Sequence, residues 1–237
     1  MVFFQHSGQP TDRRLVLANR VLSAIAVLLL INIIVLPPLV ELGLNRHIGS
    51  STFVLILALG AGVVFRRVRG GKLFIALALA ATIIKLANLW LPDAHLRAAD
   101  AVLEIASFGV LAVLTLRVVF AAGPVSGHRL MGALAAYLMV ALIFFQFYRL
   151  AAIYLPGAFL WMGSAADYES IVSKLTYFSM VTLTSLGYGD IVPGIATTRS
   201  LAMLEALFGV LYPALLITRL VAPDAPHKTP EGDHPHE

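Results

Sequence analysis

The stretch "TLTSLGYGDIVP", residues 182 to 193, places two glycines, a tyrosine and an aspartate between two long apolar runs. Of the 237 residues in the chain, 59% are hydrophobic and only 13% are charged, and the mean hydropathy is +0.87. A soluble domain carries about 25% charged residues, and uncharged apolar runs of about 18 residues or more are typical of membrane-spanning helices. The composition therefore predicts an all-α membrane protein.

Six apolar runs, separated by basic residues or by Pro and Gly, predict six transmembrane helices. They cover residues 15–40, 48–65, 73–91, 99–122, 128–155 and 197–221. Lys and Arg gather on one side of these runs, at residues 13, 14, 20, 66, 67, 69, 72, 117, 129, 219 and 228. Only Arg46, Arg97 and Arg199 lie clearly on the other side. The positive-inside rule then predicts a multi-pass membrane protein with both termini in the cytoplasm. We expect the membrane to be a prokaryotic plasma membrane.

The segment between the fifth and sixth runs is too short to cross the membrane and return. Residues Tyr168 to Thr184 are mostly apolar, and Asp167 is a candidate N-cap, so we expect a helix that enters from outside and stops near mid-depth. Residues 185–189 would then return as extended backbone, which is tolerated at that depth only inside protein or beside a wet cavity. The pattern predicts a pore. A tight turn between two membrane helices would not explain the half-span.

This order of helix, half-helix, T-S-L-G-Y-G-D and helix resembles the pore domain of tetrameric potassium channels. The resemblance implies a four-fold symmetric homotetramer with a re-entrant pore helix and an extended selectivity filter. It implies K⁺ coordination by the backbone carbonyls of Ser185, Leu186, Gly187 and Tyr188, together with the Ser185 hydroxyl. It also implies support of this filter by Thr184, Gly189, Asp190, Tyr177 and Phe178. Gly209 stands where such channels often have a gating hinge, and Pro213 should kink the same helix.

Three positions depart from the pattern of that family. Ser185 replaces the usual threonine, which keeps a hydroxyl but loses a methyl group. Leu186 stands where valine is commonest. Val181 stands where some channels place a glutamate that pairs with the aspartate after the filter, so Asp190 needs another partner here.

Ionisable residues inside the apolar runs are costly in lipid and are expected to face a partner or a cavity. Lys85 and Glu104 could pair between the third and fourth runs. Glu205 has two open interpretations. It is either a carboxylate that concentrates cations below the filter or a buried partner for the half-helix.

The resemblance divides the chain into two membrane domains. Residues 15–122 form an S1–S4-like four-helix bundle, and residues 127–221 form the pore domain. The flanking segments, 1–14 and 222–237, are expected to be cytoplasmic, the second as a disordered tail that includes His227, His234 and His236. The fourth run carries Arg117 alone near its inner end, where a voltage sensor needs several arginines, so we expect no voltage sensing from this bundle.

These features predict a potassium-selective channel with K⁺ as the permeant ion, no other cofactor and membrane lipid around it. A non-selective monovalent cation channel is an alternative, because Ser185 loosens the innermost site. A second alternative is a non-conducting regulatory subunit of another channel, and an unknown regulatory partner stays open. Neither nucleic-acid binding nor enzymatic activity is expected, because the runs hold no catalytic motif. A single-chain potassium transporter with a related filter is not favoured, because such a protein needs four pore repeats and this sequence has one.

Overall fold

The structure is a computed structural model, and it describes residues 13–42, 53–60, 71–91, 93–120, 127–162, 164–165, 171–172 and 174–221. Its longer helices are α1 (Arg13–Leu30), α2 (Leu36–Glu41), α3 (residues 53–60), α4 (Gly71–Trp90), α5 (Ala94–Val119), α6 (Gly127–Tyr154), α7 (Leu175–Leu183) and α8 (Ala196–Val221). Three short strands are β1 (Phe159–Trp161), β2 (Ser164–Ala165) and β3 (Ile191–Pro193). The predicted tail at 222–237 with its histidines, most of the segment 1–14, and the predicted cap Asp167 lie outside the described residues.

The described part of the chain is mostly helical, as expected, and four of its helices are long and apolar enough to cross a membrane. These candidate spans are Val21–Leu39, Ala94–Val119, Arg129–Tyr154 and Ala196–Thr218. The predicted third run coincides with the 20-residue helix α4. The predicted second run is described only over residues 53–60, where it is helical.

Two helices have local features that the apolar runs did not predict. The first run, predicted over 15–40, is helical to Glu41, with a π-helical turn at Ile31–Val35 just before Pro37 and Pro38. The prolines fall in the first turn of α2, where a missing N–H is tolerated. Helix α5 begins at Ala94, ahead of the apolar run, because the Asp93 side chain accepts hydrogen bonds from the N–H groups of His95 and Leu96.

Helix α6 is the element that joins the two halves of the chain. One side of α6 packs against α1 and α5, and the other side packs against α7 and α8. The first side shares a core with the N-terminal helices, which includes Leu29, Phe108 and Met139. The N-terminal helices therefore pack on the α6 helix of their own chain.

A second core lies where α6, β1 and α7 meet. It is built on the rings of Tyr148, Phe159 and Phe178, whose centroids are 5.0 to 5.6 Å apart in edge-to-face contacts. Such pairs stabilise beyond the area they bury. This core holds α7 against α6.

A network of buried charges joins α4, α5 and α6, and it confirms the predicted pairing of Lys85 with Glu104. Lys85 Nζ also lies 3.7 Å from Asp100 Oδ1, and Arg149 Nη2 lies 3.2 Å from Asp100 Oδ2. Gln146 donates to Glu104 and accepts a 2.7 Å hydrogen bond from Arg149. Two cations thus balance two carboxylates, which is the condition under which charges persist away from water.

The small antiparallel sheet, of order β2-β1-β3, was not expected in an all-α chain. Phe159 lies opposite Pro193, and Trp161 lies opposite Ile191. Strands of two or three residues are too short to produce an alternating pattern that a sequence could reveal. The sheet joins the chain just after residues 182–190 to the chain just after α6.

The same junction is closed by a backbone contact between two glycines. The Gly194 N–H donates to the Ala158 carbonyl at 2.9 Å, and a β-carbon on residue 194 would lie 2.1 Å from the Gly157 carbonyl oxygen. Only glycine allows this approach. The C-terminal end of the segment is therefore fixed to the chain that follows α6.

Candidate functional site

The site begins at the C-terminal end of α7. This helix starts at Leu175 rather than near Tyr168, after Lys174 and without a side-chain cap, so it is shorter than predicted. It ends in a Schellman motif, in which the Ser185 N–H donates to the Thr182 carbonyl at 3.0 Å and the Leu186 N–H donates to the Val181 carbonyl at 2.9 Å. Ser185 takes the left-handed position of that motif, with φ of 57°, which is usually occupied by glycine.

The sign of the backbone angle φ alternates from residue to residue after α7. Gly187 and Gly189 have φ of 55° and 79°, whereas Ser185 is the one non-glycine residue of this segment with positive φ. Leu186 and Tyr188 therefore have negative φ, and neither helix nor strand forms over residues 186–188. Glycine was expected at 187 and 189 for its backbone freedom, and both residues have the conformation that other residues rarely adopt.

The predicted support residues divide into two groups. The rings of Tyr177 and Tyr188 are stacked, with centroids 6.4 Å apart and 3° between their planes. The Tyr177 hydroxyl also interacts electrostatically with the Asp190 carboxylate, so tyrosine supplies the partner that Val181 cannot. Phe178 instead is buried against Tyr148, where it packs α7 onto α6.

Two further contacts position the ends of the segment. The Thr184 hydroxyl donates to the Met180 carbonyl at 2.7 Å, within the last turn of the helix. The Asp190 carbonyl accepts a 2.8 Å hydrogen bond from the Met162 N–H, beside strand β1. Residues 184 to 190 are thus held at both ends, while the stretch between is exposed in the single chain.

Gly209 lies against the end of α7. A β-carbon on residue 209 would be 1.7 Å from the Leu183 carbonyl oxygen, and the Tyr137 hydroxyl donates to the same oxygen at 3.2 Å. The hinge stays a prediction, but close helix packing is a separate reason for glycine here. Pro213 lies within α8 and has no N–H, so it cannot donate to the Gly209 carbonyl one turn earlier.

Glu205 is fully buried where α6, α7 and α8 meet. Tyr148 Oη lies 2.5 Å from its Oε2, and Ser179 Oγ lies 2.5 Å from its Oε1. This arrangement corresponds to the second of the two interpretations, a buried partner for the short helix. The sequence did not single out Tyr148 or Ser179, although a tyrosine in an apolar helix signals a buried hydroxyl that needs a partner.

One comparison with known proteins concerns this C-terminal part. Residues 132–222 match the model of an ion channel family, over α6, α7, the segment 182–193 and α8. The matched residues include the short helix, the exposed backbone after it, and the two flanking helices from residue 132 onward.

Two bacterial proteins and one plant protein are similar over part of the chain. Protein LctB of Bacillus caldotenax is 41% identical over 59 residues, which are 25% of this chain and 43% of that protein. Protein LctB of Geobacillus stearothermophilus is 40% identical over 59 residues, with the same coverage. Two-pore potassium channel 4 of Arabidopsis thaliana is 44% identical over 46 residues, which are 19% of this chain and 16% of that protein.

The matched segments thus span less than half the length of these relatives. No solved structure matches the chain. The family match and the similarity to a potassium channel are both likenesses to ion channels.

Proposed function

We propose that the protein is a potassium-selective channel in which four copies surround one pore. The observation that carries the proposal is the segment S-L-G-Y-G, whose φ is positive at every second residue and which follows a short helix ending at Leu183. In the proposed channel the carbonyls of Ser185, Leu186, Gly187 and Tyr188 and the Ser185 hydroxyl replace the water around K⁺.

The length of α7 supports a re-entrant position. Its nine residues span about 14 Å at 1.5 Å per residue, which is about half of the 30 Å hydrocarbon core. The partial negative charge at the C-terminal end of the helix then points toward the inner side of residues 185–188, where it favours a cation.

The exposed surface of the single chain supports an oligomer. Residues 184–189 expose backbone, and polar backbone at membrane depth needs protein or a wet cavity around it. Helix α8 also exposes an apolar face that includes Met203, Leu207, Val210 and Leu211. Four copies around an axis would cover these surfaces and leave residues 185–188 facing a water-filled pore.

The remaining parts of the proposal concern topology and gating. We propose six spans with both termini on the cytoplasmic side of a prokaryotic plasma membrane, in lipid, with a peripheral bundle that does not sense voltage. Helix α5 carries Arg97 and Arg117 but also Asp100 and Glu104, so its charges cancel. Movement of α5 across the membrane would transfer little net charge.

A non-selective cation channel is the second candidate, and the observation that favours it is Ser185. Its hydroxyl lacks the methyl group of the usual threonine, and its positive φ places it in a conformation that favours glycine. Both features would loosen the innermost cation site. The stacked Tyr177 and Tyr188 rings oppose this, because they hold the outer part of the segment.

The test is the reversal potential of the purified protein in planar bilayers that separate K⁺ from Na⁺. We expect a reversal potential near that of K⁺ equilibrium, which is lost in Gly187→Ala because residue 187 has positive φ. Gly109→Ala is the matched control, because a β-carbon on residue 109 meets nothing within 4 Å. A reversal potential at zero would replace the proposal by the non-selective channel. Absence of current in the wild type would favour the non-conducting subunit.

A further inference from the structure

Three short oxygen–oxygen contacts converge on one buried point between α6, α7 and α8. Tyr148 Oη is 2.5 Å from Glu205 Oε2, Ser179 Oγ is 2.5 Å from Glu205 Oε1, and the same Ser179 Oγ is 2.7 Å from the Ala141 carbonyl oxygen. Tyr148, Ser179 and Glu205 are all fully buried. Each contact at these distances is a hydrogen bond, and each therefore requires a proton between its two oxygens.

The side chains supply one proton too few if Glu205 is ionised. Tyr148 has one hydroxyl proton and Ser179 has one, whereas the Ala141 carbonyl has none. With only these two protons, one of the three contacts would bring two lone pairs together. We infer that Glu205 binds a proton, donates it to Ser179 Oγ, and accepts from Tyr148 on its other oxygen, while Ser179 donates to the Ala141 carbonyl.

The surroundings of Glu205 favour the neutral form. Helix α6 contributes the phenols of Tyr148 and Tyr137, α7 contributes the Ser179 hydroxyl, and no described Lys, Arg or His faces the carboxyl group. An ionised carboxylate without a cation is costly away from water. Glu104 is the opposite case within the same chain, because it is paired with Lys85 and lies 3.9 Å from Arg149.

The bound proton would make the junction sensitive to alkaline pH. Loss of the proton would leave one of the three contacts without a hydrogen atom between its oxygens, so raising the pH favours separation of the three helices. Ser179 belongs to α7, whose end positions residues 185–188. We therefore expect K⁺ flux to be lost reversibly at alkaline pH. This expectation rests on the proposed function, whereas the proton itself does not.

Infrared spectroscopy of the full chain in lipid nanodiscs tests the proton without any need for conduction. A protonated carboxyl group has a C=O stretch that is separate from the carboxylate bands. We expect this band in the wild type at neutral pH, its loss in Glu205→Gln, and its persistence in Glu104→Gln, where the replaced carboxylate was ion-paired. We also expect the wild-type band to disappear reversibly at alkaline pH. The same carboxyl band in wild type and Glu205→Gln would overturn the inference.

A flux assay in vesicles tests the switch. Glutamine keeps an oxygen that accepts from Tyr148 and an N–H that donates to Ser179, but it cannot lose a proton in this range. The K⁺ flux of Glu205→Gln at neutral pH can differ from that of the wild type. We expect that raising the pH does not abolish the flux of this variant as it does in the wild type. An identical alkaline loss in both proteins would show that the switch lies elsewhere. If neither conducts K⁺ but the infrared result holds, the proposed function fails and the proton site stands.

Discussion

The Leu183 carbonyl oxygen is in direct contact with the backbone of Gly209, at a distance that would place a β-carbon on residue 209 only 1.7 Å away. The same oxygen accepts a hydrogen bond from Tyr137. Three helices, α6, α7 and α8, therefore meet at a single carbonyl group, immediately before the segment that we propose as the filter.

Gly209→Ala should destabilise the protein through this contact. The new methyl group would overlap backbone atoms, which cannot move aside as a flexible side chain does. We therefore expect the free energy of unfolding to fall by about 3 kcal/mol, at the upper end for overpacking. Thermal unfolding of the detergent-solubilised protein, followed by circular dichroism, measures it. Gly109→Ala in α5 should not lower the melting temperature, because residue 109 has open space around it.

The same variant separates packing from hinge motion. If Gly209 served only as a hinge, the alanine variant would have the melting temperature of the wild type and would differ only in channel opening. Equal melting temperatures would therefore contradict the packing explanation.

Arg149→Gln should destabilise the peripheral bundle and α6 together. It leaves one cation, Lys85, to balance both Asp100 and Glu104, and breaking a buried ion pair typically costs about 3 to 5 kcal/mol. The double variant Arg149→Gln with Asp100→Asn should lose less stability than the sum of the losses in the two single variants, because one cation then faces one carboxylate. Additive losses in thermal unfolding would show that the two side chains are not coupled.

Tyr177→Phe should weaken the support of the proposed filter. It keeps the ring that stacks on Tyr188 but removes the hydroxyl that interacts with Asp190. We expect K⁺ current to decline faster during sustained recording. Tyr154→Phe is the control, because Tyr154 is exposed at the end of α6. Current decay that is the same in both variants would rule out a role for the Tyr177 hydroxyl.

Channel opening should depend weakly on voltage. Each elementary charge that crosses the field contributes about 2.3 kcal/mol per 100 mV, and α5 has equal numbers of positive and negative side chains. The conductance–voltage relation should be shallow, and Arg117→Gln should leave its slope unchanged. A steep relation that this substitution flattens would identify α5 as a voltage sensor.

The sequence was most informative where one residue type has one physical consequence. Apolar runs bounded by Pro, Gly or charge predicted α4, α6 and α8 to within a few residues. The glycines at 187 and 189 indicated positive φ, and the cost of charge in lipid indicated that Lys85 needs an acidic partner, which is Glu104.

Contacts between distant residues could not be obtained in the same way. The Glu205 contact with Tyr148 joins positions 57 residues apart, and it depends on how α6 and α8 are rotated against each other. The late start of α7, at Leu175, and the three-residue strands produce no periodic pattern in the sequence. The close approach at Gly209 depends on the path of the Leu183 backbone, which no local pattern encodes.

The conformation of Ser185 limits which amino acids this position can accept. A glycine would fit φ of 57° without strain but would remove the hydroxyl that we propose as a K⁺ ligand. A threonine would keep the hydroxyl, but its branched β-carbon is strongly disfavoured at positive φ. Serine is the smallest side chain that meets both demands. Directed evolution from a randomised codon at 185, under joint selection for folding and potassium uptake, should therefore return to serine.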